Sequence, residues 1–260
     1  MSSAFDDVIG TSSTQDQITQ QKNSYRIQPM SEWSNLGADF VLTDPPFGID
    51  FGGSKSNYRR DGGCVVDGYV EWETQQYQDR ISDLLDVIED NTHSDGHACI
   101  FSGWNNSHLI HQTISEHETW QLEGKLYWEY NFAPYCTRRP AHNVYEIFWV
   151  TRSDDYYYTN ECTHSHCTEG EANLSCISVK RNYLSEMPKY PTRLPPQIVR
   201  VLLEHFTQEN DYVFDPLAGS GMVGLVADDM NREWTCGDSN SEAKEVFDVT
   251  QSEVENVIES

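Results

Sequence analysis

Short apolar runs alternate along the chain with stretches in which apolar residues recur at helical spacing. The run over residues 39–43 ends abruptly at an Asp-Pro-Pro sequence, which predicts a buried parallel strand that leads into a loop. Apolar positions over residues 77–88 predict a helix, and the run over residues 98–102 predicts a second buried strand. Together these elements predict a β-α-β unit.

The second half of the chain continues this alternation. Aromatic-rich runs over residues 125–132 and 144–151 predict two paired strands at a sheet edge. Two prolines, Pro195 and Pro196, open a predicted helix, because proline is tolerated in the first helical turn. Further predicted elements are a strand over residues 212–214, a helix over 222–230 and a strand around 234–236. An early strand over residues 25–28 is expected to lie beside this last strand in the sheet.

Alternating strands and helices predict an α/β fold with a doubly wound, mostly parallel sheet that carries an antiparallel edge strand and a small insertion. A length of 260 residues suits one main domain. Residues 1–24 are rich in Ser, Thr and Gln and are expected to be a flexible tail. Residues 25–152 and 188–260 are expected to be the two halves of the domain, with residues 153–187 inserted between them.

Membrane and export signals are not expected in this chain. Its apolar runs fall well short of the roughly 18 residues of a membrane span, and the N-terminus lacks a basic and apolar leader. The seven cysteines are odd in number and scattered, which favours reduced thiols over a disulfide framework. A cytoplasmic protein without a membrane partner is therefore expected.

The charge of the chain is strongly negative. Its 42 acidic and 17 basic residues give a formal charge of −25 and a pI near 4.5. In ordinary salt such a surface repels phosphates, whereas at molar ionic strength the Debye length falls to about 3 Å and the repulsion is screened. Because the acidic residues are spread over the whole chain, we interpret the charge as halophilic adaptation. An acidic DNA mimic is the alternative.

The sequence Asp44-Pro45-Pro46-Phe47 suits chemistry on an exocyclic amino group of a nucleobase. The lone pair of that nitrogen is delocalised into the ring, so it attacks a methyl donor only when acceptors engage its N–H bonds. The Asp44 carboxylate is one acceptor, and the Pro45 carbonyl is a second, because a residue before proline is held extended. Phe47 offers a base a stacking face worth about 1–3 kcal/mol. A rigid turn without a catalytic role is the alternative interpretation.

A second motif, residues 214–221, places Gly219 and Gly221 between a predicted strand and a helix, where the backbone can approach a ligand closely. Asp238 follows the next strand, where a carboxylate can bind the ribose hydroxyls of a nucleoside cofactor. The glycine spacing is shorter than in the dinucleotide fingerprint, and Asp215 stands at the loop entrance, so a nucleoside without pyrophosphate fits better than NAD. An ordinary tight turn is the alternative.

Together the two motifs resemble those of the DNA amino-methyltransferases that modify adenine N6 or cytosine N4. They resemble in particular the β group, in which the catalytic motif precedes the S-adenosylmethionine loop. Residues 190–195 resemble the segment before that loop, and residues 127–128 and 142–146 resemble the paired strands that border the base pocket. Three departures are Leu217 in place of Phe, Tyr190 in place of His, and Arg193-Leu194 in place of Gln-Lys.

This resemblance implies a site-specific methyltransferase of the restriction-modification type, with the methyltransferase sheet, S-adenosylmethionine as cofactor and double-stranded DNA as partner. The implied acceptor is adenine N6 of a flipped-out base. Cytosine N4 is the alternative, since those enzymes more often have Ser at the position of Asp44, and an inactive DNA-binding relative is another. Residues 153–187 would recognise the target, and a homodimer is an open expectation. The implied catalytic residues are Asp44, Pro45, Pro46 and Phe47, and the implied cofactor-binding residues are Thr192, Asp215, Pro216, Ala218, Gly219, Ser220, Gly221 and Asp238.

Basic and metal-ligating residues give weaker indications. His142 and Glu146 are expected to be structural hydrogen-bonding residues rather than acid-base catalysts. No Cys-x2-Cys pair occurs, so no metal is predicted, although the Cys- and His-containing stretch 162–176 leaves structural zinc open as an alternative. Because basic residues are scarce, the candidates for contacts to DNA phosphates or base edges are Arg138, Arg139, Arg152, Lys180 and Arg181.

Overall fold

A computed structural model describes residues 22–49, 71–130, 137–138, 140–160, 175–180, 190 and 193–257, with only the backbone for 253–257. Within these residues the strands form one eight-stranded sheet. They are β1 (Ser24–Ile27), β2 (Ala38–Thr43), β3 (Thr92–Ser102), β4 (Gln121–Glu129), β5 (Val144–Thr151), β6 (Cys176–Ser178), β7 (Tyr212–Asp215) and β8 (Glu233–Asp238). The helices are α1 (Tyr77–Asn91), α2 (Ser107–Glu116), α3 (Pro196–Phe206), α4 (Met222–Asp229) and α5 (Ser241–Val257).

The strands lie in the order β1-β8-β7-β2-β3-β5-β4-β6. All neighbouring pairs are parallel except those that β5 makes with β3 and with β4. The predicted doubly wound, mostly parallel sheet is therefore confirmed. The antiparallel strand β5 does not form the edge itself, because β4 and the short strand β6 continue the sheet beyond it.

The central strands are buried on both faces, as expected for parallel strands covered by helices. In β2, Phe40 and Leu42 pack into one apolar cluster, and Val41 packs into the other. The first cluster contains residues of α3, α4 and α5, and the second contains residues of α1 and α2. The helices thus cover the sheet from both sides and hold the ends of its strands in fixed positions.

Most predicted elements are present with shifted boundaries. The prolines open α3 as expected, with Pro196 in its first turn, and β1 pairs with β8 in a register that places Ile27 beside Asp238. Strand β4 begins at Gln121, four residues before the predicted start at Lys125. Helix α2 was not predicted, because only Ile110, Thr113 and Ile114 of its ten residues are buried. No helix in the described part of the chain is long and apolar enough to cross a membrane.

The start of the predicted insertion packs against the main domain. Tyr158 lies against Trp149 of β5, with ring centroids 5.5 Å apart, and against Phe206 of α3 at the same distance. The backbone N–H of Thr159 donates to the carbonyl of His205 at 2.9 Å. Farther along, β6 pairs with β4. The stretch between them, residues 161–174, lies outside the described residues, so its role in target recognition stays a prediction.

Candidate active site

The candidate site lies at the carboxyl ends of the parallel strands, at the point where the sheet reverses its winding. Strands β7 and β2 are neighbours, but β7 is followed along the chain by β8 on one side, and β2 by β3 on the other. Such a switch point opens a crevice above the strand ends, where open α/β sheets bind ligands. Asp44 directly follows β2, whereas Asp215 ends β7 and Asp238 ends β8. The topology therefore brings both sequence motifs to one crevice.

The loop Asp44–Phe47, here called the Asp-Pro-Pro-Phe loop, is fastened by side chains from two neighbouring segments. The Asn106 amide donates hydrogen bonds to the carbonyls of Phe47, at 2.7 Å, and of Gly48, at 3.0 Å. The backbone N–H of Gly48 donates to Glu71 at 2.6 Å. Within the loop Pro45 is buried, while Asp44, Pro46 and Phe47 are partly exposed. The end of the loop is thus fastened by hydrogen bonds, while Asp44 is partly exposed.

An aromatic wall borders this loop. The Phe47 and Tyr145 ring centroids are 5.2 Å apart, and Tyr145 stacks on Trp128 at 5.3 Å with an interplanar angle of 20°. Phe47 fits because Gly103 has no side chain: a Cβ there would lie 2.9 Å from the Phe47 ring. Strands β4 and β5 supply Trp128 and Tyr145, so the resemblance of residues 127–128 and 142–146 to a pocket-bordering segment agrees with their position.

The glycine loop, Asp215–Gly221, connects β7 to α4 on the other side of the switch point. Gly219 and Gly221 have φ angles of +48° and +72°, in the left-handed region that favours glycine. The Tyr25 hydroxyl donates to the Gly219 carbonyl at 2.6 Å. The N–H of Gly219 donates to the Asp238 carboxylate at 3.1 Å. Strands β1 and β8 thereby fix the glycine loop from one side.

Three carboxyl groups dominate the electrostatics of the crevice. Burial raises the pKa of Asp215 to about 7, against hydrogen bonds that include one from the Leu217 N–H. Burial also raises the pKa of Asp238 above its ordinary value. Burial is the largest cause of the raised pKa of Tyr190, and the charges of Asp238, Asp44 and Asp215 raise it further. The phenol of Tyr190 thus lies near carboxylates from both motifs.

All but one of the predicted site residues fall within the described part of the chain. Thr192 lies outside it, and its contact to the cofactor stays a prediction. Pro216, Ala218 and Ser220 are buried within the glycine loop, so their expected contribution is the shape of that turn. Tyr25 and Asn106 were missed by sequence reasoning. A signal for Asn106 existed, since asparagine before a helix is a common N-cap, but nothing in the sequence linked it to the loop.

The basic residues divide between the two ends of the parallel strands. Arg152 follows β5 at the end of the sheet opposite the site, where its guanidinium donates to the carbonyls of Glu89 and Thr92. These bonds indicate a structural role, and its contact to DNA stays a prediction. Arg138 lies in the β4–β5 connection and Lys180 follows β6. Both are exposed at the carboxyl ends of the parallel strands, where the site lies. Arg139 and Arg181 lie outside the described residues.

Other predicted polar residues have structural partners. Glu146 pairs with Lys125 at 2.7 Å, as expected for a structural role. Arg193 donates to Thr250 of α5 at 3.2 Å. Of the Cys and His residues in the stretch 162–176, which could form a structural zinc site, only the exposed Cys176 lies within the described part of the chain. The described residues do contain one group of potential metal ligands, Asp86 and Glu89 of α1 with His117, which follows α2, and this group lies away from the crevice.

These features are typical of α/β transferases that bind a nucleoside cofactor, with the Asp-Pro-Pro-Phe loop as the candidate acceptor loop for an amino group. Comparison with known proteins makes the class specific. A family model described as DNA methylase, for the N6 and N4 methyltransferases, matches residues 38–249. The chain belongs to this DNA methylase family, and S-adenosylmethionine is its cofactor.

Similar proteins are type II methyltransferases. M2.LlaDCHI of Lactococcus lactis subsp. cremoris is 25% identical over 222 residues, which are 78% of each chain. M2.DpnII of Streptococcus pneumoniae is 24% identical over 228 residues, or 82% of each chain. M.XycI of Xanthomonas campestris pv. cyanopsidis is 30% identical over 125 residues, which are 47% of this chain and only 42% of M.XycI.

Solved structures support the fold. The cytosine-N4-specific PvuII DNA methyltransferase superposes with a TM-score of 0.64 at 13% identity, covering 91% of this chain and 93% of that one. The M1.HpyAVI–SAM complex gives a TM-score of 0.57 at 17% identity, covering 81% and 87%. At such identities the likeness concerns the arrangement of the sheet and helices, and the target base has to be argued from this chain's own residues.

Proposed function

We propose that this protein is a site-specific DNA methyltransferase that transfers the methyl group of S-adenosylmethionine to adenine N6 of a flipped-out base in double-stranded DNA. The observation that carries the proposal is the juxtaposition at the switch point. The Asp-Pro-Pro-Phe loop and the glycine loop leave neighbouring strands, β2 and β7, and the side chain of Tyr190 lies near carboxylates of both.

The glycine loop fits the cofactor. A Cβ on Gly219 would lie 2.7 Å from the Tyr190 hydroxyl, so the close approach of backbone and ring depends on glycine at that position. Asp238 ends the neighbouring strand, where a carboxylate can accept hydrogen bonds from ribose hydroxyls. Asp44, Asp215 and Asp238 together favour a ligand that carries positive charge near the reacting group. When bound, S-adenosylmethionine supplies a methyl group on a positively charged sulfur.

The Asp-Pro-Pro-Phe loop performs the acceptor chemistry. The Asp44 carboxylate and the Pro45 carbonyl accept hydrogen bonds from the adenine amino group, which localises the nitrogen lone pair for attack. Phe47 stacks on the base, with Tyr145 and Trp128 supporting the Phe47 ring. As the nitrogen–carbon bond forms, the carbon–sulfur bond breaks, and the amino proton then leaves to water. Adenine is proposed over cytosine because the chain has Asp rather than Ser at position 44.

The strong negative charge shapes how DNA is held. We propose that binding in molar salt depends more on stacking and base contacts than on counterion release, because basic residues are scarce in the sequence. Arg138 and Lys180 are the described candidates for phosphate contacts. A DNA affinity that fell steeply as salt was added would contradict this part of the proposal.

Replacement of Asp44 by Ala tests the catalytic assignment. We expect methylation of duplex DNA to fall by at least about 100-fold, because a preorganised acceptor is lost, while calorimetric binding of S-adenosylmethionine is retained. Asp83→Ala, which removes an exposed carboxylate of α1, is the matched control and should retain full activity. Substantial activity in Asp44→Ala would overturn the assignment.

A further inference from the structure

A stacked aromatic pair, Trp104 and His142, lies beside the candidate base pocket. The indole of Trp104 and the imidazole of His142 are stacked almost parallel, with centroids 4.3 Å apart and an interplanar angle of 8°. Trp104 is 44% exposed, which is unusual for so large an apolar side chain. Neither residue has a part in the transfer step described above.

Trp104 belongs to the turn that holds the Asp-Pro-Pro-Phe loop. The residue before it, Gly103, gives the Phe47 ring its space, and Asn106, two residues after it, donates to the Phe47 carbonyl at 2.7 Å. Trp104 therefore lies between two direct contacts to the loop. The turn that positions Phe47 thus also carries the indole of Trp104.

His142 connects the pair to the aromatic wall that contains Tyr145. Its carbonyl accepts a hydrogen bond from the Tyr130 hydroxyl at 3.1 Å, and the Tyr130 ring lies 5.5 Å from that of Tyr145. His142 also belongs to the β4–β5 connection that carries the exposed Arg138. The stacked pair thus spans two segments that border the pocket, with a basic residue nearby in the sequence.

The chemistry of the pair matches the interior of a duplex. Extrusion of one base leaves a gap between its stacked neighbours, and an apolar wedge inserted at such a step offsets part of the lost stacking. Base-on-aromatic stacking is worth about 1–3 kcal/mol, and unlike a phosphate contact it is not screened by salt. A strongly acidic protein gains most from a contact of this kind.

We propose that Trp104, braced by His142, packs into the DNA duplex next to the flipped base and stabilises the flipped state. This inference rests on the proposed function, because it presupposes a duplex substrate with an extruded base. It assigns to Trp104 a role in holding DNA that is separate from cofactor binding and from the transfer step.

The test compares Trp104→Ala, Trp104→Phe and the wild type on unmethylated plasmid duplex in molar potassium chloride. We expect kcat/KM for the duplex to fall about tenfold or more in Trp104→Ala and to be partly restored in Trp104→Phe. Calorimetric binding of S-adenosylmethionine without DNA should not change in either variant. Val249→Ala, at a 45% exposed position on α5, is the control and should retain the wild-type kcat/KM.

A second measurement reports burial of the indole directly. The emission of Trp104, taken as wild type minus Trp104→Phe, should become protected from acrylamide quenching when plasmid duplex is added. Absence of protection, an unchanged kcat/KM in Trp104→Ala, or an equal loss of cofactor binding would each overturn the inference. If the wild type methylates no DNA at all, the proposed function fails. If it methylates DNA and Trp104→Ala does so equally well, only the inference fails.

Discussion

Replacement of Asp215 by Asn should stabilise the cofactor-free protein while weakening cofactor binding. The Asp215 side chain is only 3% exposed, and burial raises its pKa from the ordinary 3.8 to about 7. As pH rises, the unfolded chain therefore loses this proton before the folded protein does. The ionised carboxylate then opposes folding: the penalty is negligible below about pH 4, grows between pH 4 and 7, and is complete above pH 7.

The size of the penalty follows from the two pKa values. A carboxyl pKa moved from 3.8 to about 7 corresponds to about 4 kcal/mol, which is an upper bound on the gain from removing the charge. Asparagine retains one oxygen that can accept the Leu217 N–H, but its amide hydrogens also need partners in a buried place. We therefore expect a gain of about 2 kcal/mol in the free energy of unfolding near pH 8.

Urea unfolding of Asp215→Asn and the wild type in molar potassium chloride, measured between about pH 4 and 8, tests this reasoning. The stability difference should disappear towards pH 4. Asp83→Asn removes the same charge from an exposed position and should change stability by less than about 0.5 kcal/mol at any pH. A variant no more stable than the wild type near pH 8, or a difference independent of pH, would refute the account of Asp215. Calorimetry should show weaker S-adenosylmethionine binding by the variant.

Three further substitutions test individual contacts. Asn106→Ala should lower kcat about 10- to 100-fold in a methylation assay through loss of loop positioning, with S-adenosylmethionine affinity unchanged. Gly221→Ala should destabilise the protein in urea by about 2–4 kcal/mol, because of its left-handed backbone and a Cβ that would lie 2.3 Å from the Phe247 ring. Arg152→Ala should lower the free energy of unfolding by about 1–3 kcal/mol and leave the KM for DNA unchanged.

Matched controls exist for the first two substitutions. Gln112→Ala changes an exposed side chain of α2, the helix that follows Asn106, and should leave kcat unaffected. Gly124→Ala would place its Cβ 3.7 Å from the nearest atom of Trp149, an ordinary contact, and should be nearly neutral. If Gly221→Ala were as stable as Gly124→Ala, or Asn106→Ala as active as Gln112→Ala, the corresponding contact would not have the stated role.

The sheet and the two motifs could be predicted from sequence because their signals are local. A short apolar run, Phe40 to Leu42, followed closely by an Asp-Pro-Pro sequence indicates the end of a buried strand, and the glycines at 219 and 221 indicate a tight turn before a helix. Because the carboxyl ends of parallel strands share one edge, the strand order then brings Asp44, Asp215 and Asp238 together. The early strand over residues 25–28 followed from the need to fill the sheet beside β8.

The supports of the site could not be predicted in this way. Tyr25 binds the carbonyl of Gly219, which is 194 residues away along the chain, and no local pattern encodes that contact. Arg152 looks like an available cation in a sequence poor in basic residues. Whether it faces the site depends on the direction of β5. This strand runs opposite to its neighbours, so Arg152 lies at the amino ends of the parallel strands, away from the site. Such long-range placement requires the folded structure.

The central claim is that this chain methylates adenine N6 in duplex DNA. The most direct measurement is mass spectrometry of the nucleosides released from unmethylated plasmid DNA after incubation with the protein and isotope-labelled S-adenosylmethionine at high salt. We expect labelled N6-methyldeoxyadenosine with the wild type and none with Asp44→Ala. Labelled N4-methyldeoxycytidine would contradict the choice of base, and the absence of any labelled nucleoside would contradict the proposed activity itself.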